Sequence, residues 1–365
     1  LAGMMVMAHS NHLLTLFIGI ELMSITFYIM AGYFRFAEKS VEASLKYFLL
    51  GAFSTGFLVY GMAMLYGSTG SMFLPKISEA IMNGSANSAY LMFGAALMIM
   101  GLSFKSSAFP FHQWAPDVYT GAPTVVVSYM STAGKAAALA AFIIIAKTLV
   151  PIGFDPSTLT SGVDTEKLIT AIAAISALTM LVGNITALVQ KNVKRMLAYS
   201  SVAHAGYMLM GIVAGSVAGW SALMFYATVY TFMQIGAFLI VGLLERDTDK
   251  KLEYDDYIGL SKRQPALAAI MAVFMFSLAG IPPMSGFFGK YYLFMSVINS
   301  GHTWLALVAV VSSIISVVFY LGLIVKMYFS DSDAVQGEKL PWNATRILVF
   351  VTCGAILLIG FNPGG

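Results

Sequence analysis

Ten apolar stretches, each about twenty residues long or longer, recur from one end of this chain to the other. Because a helix rises about 1.5 Å per residue, roughly twenty residues cross a bilayer core of about 30 Å. The predicted spans are 13–33, 43–66, 88–113, 123–147, 167–189, 197–215, 219–244, 266–299, 303–328 and 342–361. The sequence therefore predicts an all-α polytopic membrane protein with about ten complete transmembrane helices, whose chemistry lies within the membrane or at its faces.

Composition excludes several classes of protein. Of the 365 residues, 59% are hydrophobic and 10% are charged, against about 25% charged residues in soluble domains, so a soluble enzyme domain is excluded. The net charge of +3 is too small and dispersed for a nucleic-acid interface. The single cysteine, Cys353, excludes an internal disulfide, an all-cysteine zinc site and an iron–sulfur cluster. We expect neither a metal nor a cofactor in this chain.

The start of the chain does not have the pattern of a signal peptide. The first residue is Leu1, and the apolar stretch 1–8 has no basic segment before it. This stretch is typical of the end of a membrane span. We therefore expect one or more helices upstream of Leu1 in the complete protein.

Basic residues in the loops predict the orientation of the bundle. Loops on one side contain twelve Lys and Arg residues: Arg35, Lys39, Lys191, Lys194, Arg195, Arg246, Lys250, Lys251, Lys262, Arg263, Lys326 and Lys339. Loops on the other side contain three, Lys76, Lys147 and Lys167. Since cytoplasmic loops are enriched in basic residues, the first full span is predicted to end in the cytoplasm.

Four ionisable residues lie deep within predicted spans. Lys105, Lys135 and Lys290 each have about ten or more mostly apolar residues on at least one side, and Glu21 is the only acid at comparable depth. Burying each of them costs about 2.5–3.5 kcal/mol, which favours a functional role. A purely structural pair of Glu21 with one lysine would account for only two of the four. A buried amine without an acidic partner can bind and release a proton. The sequence thus predicts proton-carrying sites lined by internal water.

Two other positions are secondary candidates. Lys46 follows Glu42 by one helical turn, a spacing that favours a local ion pair, and it is either an interfacial anchor or part of the same machinery. His204 lies in the middle of a span among hydroxyl-bearing residues. It is either a proton relay or a hydrogen-bonded core histidine.

Helix-breaking residues interrupt two spans close to their lysines. The run Lys105 to His112 contains Pro110, and the run 279–290 contains Pro282 and Pro283 before Lys290. Freed backbone groups at membrane depth are tolerated only beside protein or a wet cavity, so such breaks point to an ion pathway.

The spacing of these features predicts an internal repeat. Lys105 and Lys290 are 185 positions apart, Gly-Ala-Phe at 51–53 recurs at the same offset at 236–238, and Glu21 lies 183 positions before His204. We therefore predict one transmembrane domain, 1–365, with inverted five-helix repeats over about 1–150 and 165–330 and a final helix over 342–361.

Several motifs together resemble the antiporter-like membrane subunits of respiratory complex I (NADH:quinone oxidoreductase), the N type in particular. They are 21–24, 45–52, 110–123, 194–201 and 278–283, and the run Trp-Ala-Pro-Asp-Val-Tyr-Thr-Gly-Ala-Pro at 114–123 is specific. The resemblance covers nearly the whole chain. It implies a fourteen-helix subunit in bacterial members, of which this chain lacks the first three helices and most of the fourth. Either the upstream part is missing from this sequence or the protein is a shortened variant.

The resemblance also implies roles for individual residues. Glu21 matches the family's carboxylate on the fifth helix, while Lys105, Lys135 and Lys290 match the lysines of the broken seventh, the eighth and the broken twelfth helices. The secondary candidates match polar positions of the sixth helix (Lys46, Glu42) and of the tenth (His204). It further implies proton translocation without a redox centre in this chain.

The resemblance implies partners and a location as well. The partners would be the other membrane and peripheral subunits of the complex, including sister antiporter-like subunits, and the lipid bilayer, but no nucleic acid. The location would be a bacterial inner membrane or, alternatively, an organelle inner membrane. Other functions stay open: a subunit of a cation/proton antiporter or of a membrane-bound hydrogenase, a stand-alone solute transporter, or a structural scaffold.

Overall fold

The structure, a computed structural model, describes residues 1–150, 165–245, 252–330 and 343–362. The regular elements in these ranges are helices, which confirms the all-α prediction. The principal helices are α1 Ala2–Ala8, α2 Leu13–Ala31, α3 Glu38–Thr69, α4 Leu74–Met82, α5 Ser88–Ser106, α6 Trp114–Gly121, α7 Thr124–Leu149, α8 Thr165–Leu188, α9 Val193–Val213, α10 Val217–Leu244, α11 Pro265–Ala279, α12 Ser285–Asn299, α13 Thr303–Phe329 and α14 Ala344–Phe361. The predicted loop basic residues Arg246, Lys250, Lys251 and Lys339 lie outside the described residues.

Nine of the helices described here are long and apolar enough to cross a membrane: α2, α3, α5, α7, α8, α9, α10, α13 and α14. The predicted span 266–299 is divided between α11 and α12, each of 15 residues. At about 1.5 Å per residue, neither crosses a 30 Å core alone, so the two together replace one span. The short helix α4, which begins with a proline in its first turn, was not predicted.

Both predicted breaks are present. Helix α5 ends at Ser106, Ser107 adopts a left-handed conformation with φ 59°, and α6 begins only at Trp114. Helix α11 ends at Ala279 and is followed by the left-handed Gly280 with φ 84°. The peptide bonds before Pro110 and Pro283 are cis. The helix predicted over 88–113 therefore ends earlier, before its proline.

The two lysines reach the breaks from opposite sides. Lys105 lies in the last turn of α5, two residues before Ser107, whereas Lys290 lies in α12, ten residues after Gly280. Ser107 and Gly280 are 173 positions apart, so the offset of 185 that relates the two lysines does not superpose the two breaks. The inverted repeat stays a prediction.

Helix α9 is the most enclosed span of the bundle, with 94% of its apolar window buried. It packs closely against α8, where a Cβ on Gly183 would lie 2.5 Å from the backbone nitrogen of Ala203 and one on Gly206 would lie 2.7 Å from that of Met180. Such small residues allow two helix backbones to approach each other within a membrane. Polar side chains carried by α9 are consequently placed inside the protein and away from lipid.

The start of α9 differs from the prediction in a way that matters for the site. The helix begins at Val193 instead of 197, because the side chain of Asn192 caps it by accepting a hydrogen bond from the Arg195 backbone nitrogen at 2.9 Å. Lys194 and Arg195 are therefore not loop residues. Lys194 is only 1% exposed.

Candidate functional site

Glu21 and Lys105 meet between α2 and α5. The Lys105 Nζ lies 3.6 Å from Glu21 Oε1 and donates a hydrogen bond of 2.8 Å to Ser24 Oγ. Thr55 Oγ1, on α3, donates to the same Glu21 oxygen at 2.9 Å. The Lys105 side chain is 2% exposed and that of Glu21 is 23% exposed. The carboxylate thus stabilises the buried ammonium from a position at the edge of the bundle.

Lys135 is held by α9 instead of by an acid. Its Nζ donates to both the carbonyl oxygen of Ser201, at 2.5 Å, and Ser201 Oγ, at 2.6 Å. A π-helical turn, Met130–Gly134, immediately precedes it in α7, a feature frequent at functional sites. No carboxylate in the described part of the chain forms an ion pair with Lys135, as the sequence predicts.

Lys290 is held by the break in front of its own helix. Its Nζ donates to the carbonyl oxygens of Leu278 (3.1 Å) and Ala279 (3.0 Å) and to Ser313 Oγ on α13 (2.9 Å). The last carbonyls of α11 have no helical donor and carry the negative end of the helix dipole, so they suit a cation. Within the described ranges Lys290 has no acidic partner either, and its Nζ lies 4.9 Å from the centre of the Tyr207 ring.

His204 lies on α9 between Ser201, which binds Lys135, and Tyr207, whose ring is near Lys290. Its Nδ1 is 2.6 Å from Tyr226 Oη, its Nε2 is 3.1 Å from Tyr320 Oη, and Tyr320 Oη is 2.5 Å from Ser200 Oγ. Both alternatives from the sequence are compatible with this geometry, because the histidine is hydrogen-bonded on both nitrogens and lies within a chain of hydroxyls. Its ring is 5.7 Å from that of Tyr207.

Residues three apart on α9 therefore form a polar line. Ser201 binds Lys135, His204 follows one turn on, and Tyr207 faces Lys290. Positions three apart are neighbours on a helix surface. Its two ends contact the lysine of α7 and the lysine of α12.

Buried hydroxyls lie between Lys105 and Lys135. Ser107 is in the first break, and Tyr119 Oη lies close to the hydroxyls of Ser107 and Ser201 but outside hydrogen-bond geometry. The Tyr119 ring centre is 6.0 Å from Lys135 Nζ. Buried polar atoms without a partner among the described residues are the groups that ordered water satisfies.

The secondary pair Glu42 and Lys46 lies apart from this line. The predicted ion pair is confirmed at 2.7 Å, but the Lys46 side chain is 43% exposed. Lys46 also binds Asp117 Oδ2 at 3.1 Å, and Arg195 binds Asp117 Oδ1 at 2.8 Å. Partial burial acts to raise the pKa of Asp117, but its hydrogen bonds from Arg195 and Lys46 outweigh burial and hold it below the usual value. The cluster ties α3, α6 and α9 together.

Sequence reasoning missed one buried ion pair. Lys194 Nζ lies 3.7 Å from Glu245 Oε1 and donates to the carbonyl oxygen of Ala122 at 2.9 Å. The sequence analysis counts Lys194 and Arg195 among the basic loop residues that orient the bundle, so it gives no signal of a buried pair. Among the described residues, no three His, Cys, Asp or Glu side chains are grouped so as to hold a metal ion.

Interrupted spans and enclosed amines define a polytopic membrane protein of the antiporter-like class. Residues 10–316 match the family model described as NADH:quinone oxidoreductase/Mrp antiporter, transmembrane, and the chain belongs to that family. It is 45% identical to NADH-quinone oxidoreductase subunit N 1 of Chloroherpeton thalassium over 361 residues, 99% of this chain and 73% of that protein. Subunit N of Trichlorobacter lovleyi is also 45% identical, over 99% and 72% of the two chains.

Solved structures agree with this assignment. A chain of respiratory complex I from Thermus thermophilus superposes with a TM-score of 0.82 at 35% identity, covering 99% of this chain and 76% of that chain. A chain of an archaeal membrane-bound sulfane sulfur reductase superposes with a TM-score of 0.86 at 26% identity, covering 99% and 71%. A chain of the Mrp complex from Dietzia sp., at 20% identity and a TM-score of 0.80 over 99% and 73%, shares the fold.

Proposed function

We propose that this chain is the N-type membrane subunit of a bacterial NADH:quinone oxidoreductase and that it moves protons through Glu21, Lys105, Lys135 and Lys290. One observation carries the proposal. The three lysines are 5%, 2% and 3% exposed, and each donates a hydrogen bond to a serine of a neighbouring helix. An arrangement this costly to bury is expected only where the charge is used.

Proton transfer begins at the edge of the bundle. While Glu21 is ionised it holds Lys105 protonated, and a change in neighbouring subunits that weakens this pair releases the proton. The hydroxyls of Ser107, Tyr119 and Ser201 then lie on the way to Lys135.

The polar line of α9 carries the proton onward to Lys290. Because like charges repel in a low-dielectric interior, a proton on Lys135 disfavours one on Lys290 and promotes its release to the far face. Moving one charge against the membrane potential costs about 2.3 kcal/mol per 100 mV. We assign that work to redox chemistry in other subunits, since this sequence has one cysteine and no nucleotide-binding or cluster motif.

A substitution at Lys290 tests the proposal. In the assembled complex in liposomes, Lys290→Met should lower the number of protons moved per NADH oxidised while the complex still assembles. Lys326→Met is the matched control, because Lys326 pairs with the exposed Asp255 at 2.8 Å, away from the buried line. A parental proton yield in Lys290→Met would remove Lys290 from the path.

A second candidate is a subunit of another membrane complex of the same fold, such as a cation/proton antiporter or a membrane-bound hydrogenase. The likeness to the archaeal sulfane sulfur reductase chain favours it. The subunits that co-purify with this chain decide between the candidates. Uptake of a solute by the chain alone in liposomes would favour a stand-alone transporter. If neutralising the buried charges changed only the assembly of the complex and not its proton coupling, that result would favour a scaffold.

The proposed setting follows from the relatives. Those named above are bacterial subunits of NADH-quinone oxidoreductase, so we place this chain in a bacterial inner membrane as a multi-pass protein. Its proposed partners are the remaining membrane and peripheral subunits, including sister antiporter-like chains. We propose that the chain contributes to the enzyme as a translocase without a redox cofactor of its own.

A further inference from the structure

The start of α9 carries a buried ion pair that the proposed path does not use. Lys194 is 1% exposed, and its Nζ lies 3.7 Å from Glu245 Oε1. Glu245, whose side chain is 17% exposed, immediately follows α10 and accepts a hydrogen bond of 2.5 Å from Thr124 Oγ1 at the start of α7. Three helix ends therefore meet at one carboxylate, on the face that the basic residues assign to the cytoplasm.

Polar side chains continue inward from this pair along two of the helices. On α7, Ser128 and Ser131 follow Thr124, and Lys135 comes next, at steps of four, three and four residues. On α10, Gln234 lies eleven residues before Glu245. These steps keep the residues on one helix face.

These side chains, Thr124, Ser128 and Ser131 on α7 and Gln234 on α10, form a polar column. The length of this column matches the depth of Lys135 in the membrane. Eleven residues of helix span about 16 Å, which is about half of a 30 Å bilayer core. A column that begins at Glu245 and Thr124 on the cytoplasmic face thus ends near the midplane, where Lys135 lies. Both serines in it are at most 5% exposed.

Gln234 lies near the inner end of the column and contacts α9 between Lys194 and Ser201. Its Nε2 donates to the carbonyl oxygen of Leu197 at 3.2 Å, and Leu197 lies between Lys194 and Ser201 on α9. The side chain is fully buried, and its Oε1 has no hydrogen-bond partner among the described residues. A buried amide oxygen left without a donor is destabilising, which points to an additional donor at this position, such as water in transit.

We propose that Glu245 and Lys194 form the intake site through which protons from the cytoplasmic face reach Lys135. This inference rests on the proposed proton translocation and adds a cytoplasmic supply of Lys135 to the transfer from Lys105. Glu245 takes a proton from the aqueous phase, which removes one negative charge beside the Lys194 ammonium. Lys194 then releases its proton past Gln234 and the α7 serines to the neutral amine of Lys135. The proton on Glu245 moves to Lys194 and restores the ion pair, so one proton has moved inward.

Chemical rescue separates intake from a structural role. In the assembled complex, reconstituted with the cytoplasmic face outward, Glu245→Gln should lower the protons moved per NADH toward the yield of Lys135→Met. External formate, a small diffusible carboxylic acid, should restore the yield of Glu245→Gln but not that of Lys135→Met. Asp255→Asn is the matched control, because it removes an acid from an exposed ion pair on the same face and should keep the parental yield.

Each outcome bears on the inference. A parental yield in assembled Glu245→Gln, or a lowered yield that formate leaves unchanged, would overturn it. If the complex with Glu245→Gln does not assemble, Gln234→Leu tests the same column. A lowered proton yield is expected, and a parental yield would contradict the proposed role of the column. A parental yield in Lys135→Met would instead overturn the proposed function, so the two failures are distinguishable.

Discussion

Lys290 Nζ lies 3.0 Å from the carbonyl oxygen of Ala279, the last residue of the helix before the second break. The lysine thus uses the end of the preceding helix, together with Ser313, as its counter-group in place of a carboxylate. This arrangement depends on Gly280, whose backbone is left-handed at φ 84° and where a Cβ would lie 3.0 Å from Lys290 Cδ and 3.3 Å from its Nζ.

Gly280→Ala is therefore expected to impair both stability and proton transfer. A left-handed alanine costs about 1–2 kcal/mol, and the added methyl group displaces the amine from its carbonyls. Thermal unfolding of the purified complex and protons moved per NADH measure the two effects. Gly322→Ala, inside a helix and where a Cβ would meet no atom within 4 Å, is the control and should lower neither. Unchanged values in Gly280→Ala would show that Lys290 does not depend on this turn.

Glu21→Gln should lower coupled turnover several-fold while leaving the hydrogen bond from Thr55 possible. The amide keeps the shape of the carboxylate but removes the charge that stabilises Lys105, an ion pair with N···O 3.6 Å. Coupled NADH oxidation, measured before and after addition of an ionophore, reports this loss.

A double substitution shows whether Glu21 acts through Lys105. Two residues that share one function are not additive, so Glu21→Gln should add little to the effect of Lys105→Met. Full additivity of the two effects would mean that the carboxylate works independently of this lysine.

Asp117→Asn should destabilise the protein at neutral pH and lose that effect in acid. The pKa of Asp117 is lowered from 3.8 in the folded protein, because the hydrogen bonds from Arg195 and Lys46 outweigh the opposing effect of partial burial. A carboxyl with a depressed folded pKa contributes its full stability above the unfolded value and loses it as the pH falls through the folded value.

Unfolding of the parent and of Asp117→Asn in detergent, followed from neutral pH to about pH 3, measures this contribution. The two unfolding temperatures should differ above about pH 4 and converge below it. The difference should be small, since the Asp117 side chain is 35% exposed. A constant difference over the whole range would indicate that the charge of Asp117 is not responsible.

Depth in the membrane could be predicted from the sequence, whereas contacts between helices could not. Apolar runs around Lys135 and Lys290 identify both as buried, because a lysine so far from water is costly whatever it touches. The partners of His204 are 22 and 116 residues away, on helices whose packing no local pattern specifies. Helix periodicity therefore gave the positions of the charges but not the line that joins them.

Lys194 shows the same limit at a boundary. A basic pair beside a polar stretch is typical of an interfacial anchor. What buries Lys194 is the capping of α9 by Asn192, one turn earlier than hydropathy suggests, and the approach of Glu245 from another helix.

The breaks show the same limit. Prolines predicted both breaks, but the side from which each lysine approaches its break depends on where the helices end.

The close packing of α9 against α8 limits how the protein can move. With Gly183 and Gly206 in near contact with the opposite backbone, α9 cannot slide or turn along α8 without steric clash. Ser201, His204 and Tyr207 thus keep fixed spacings, and the proposed proton transfer along them would use rotations of hydroxyls, of rings and of the lysine side chains around them. Such swings are small enough for a tightly filled bundle to absorb, so the proposed proton path needs no continuous opening through the protein.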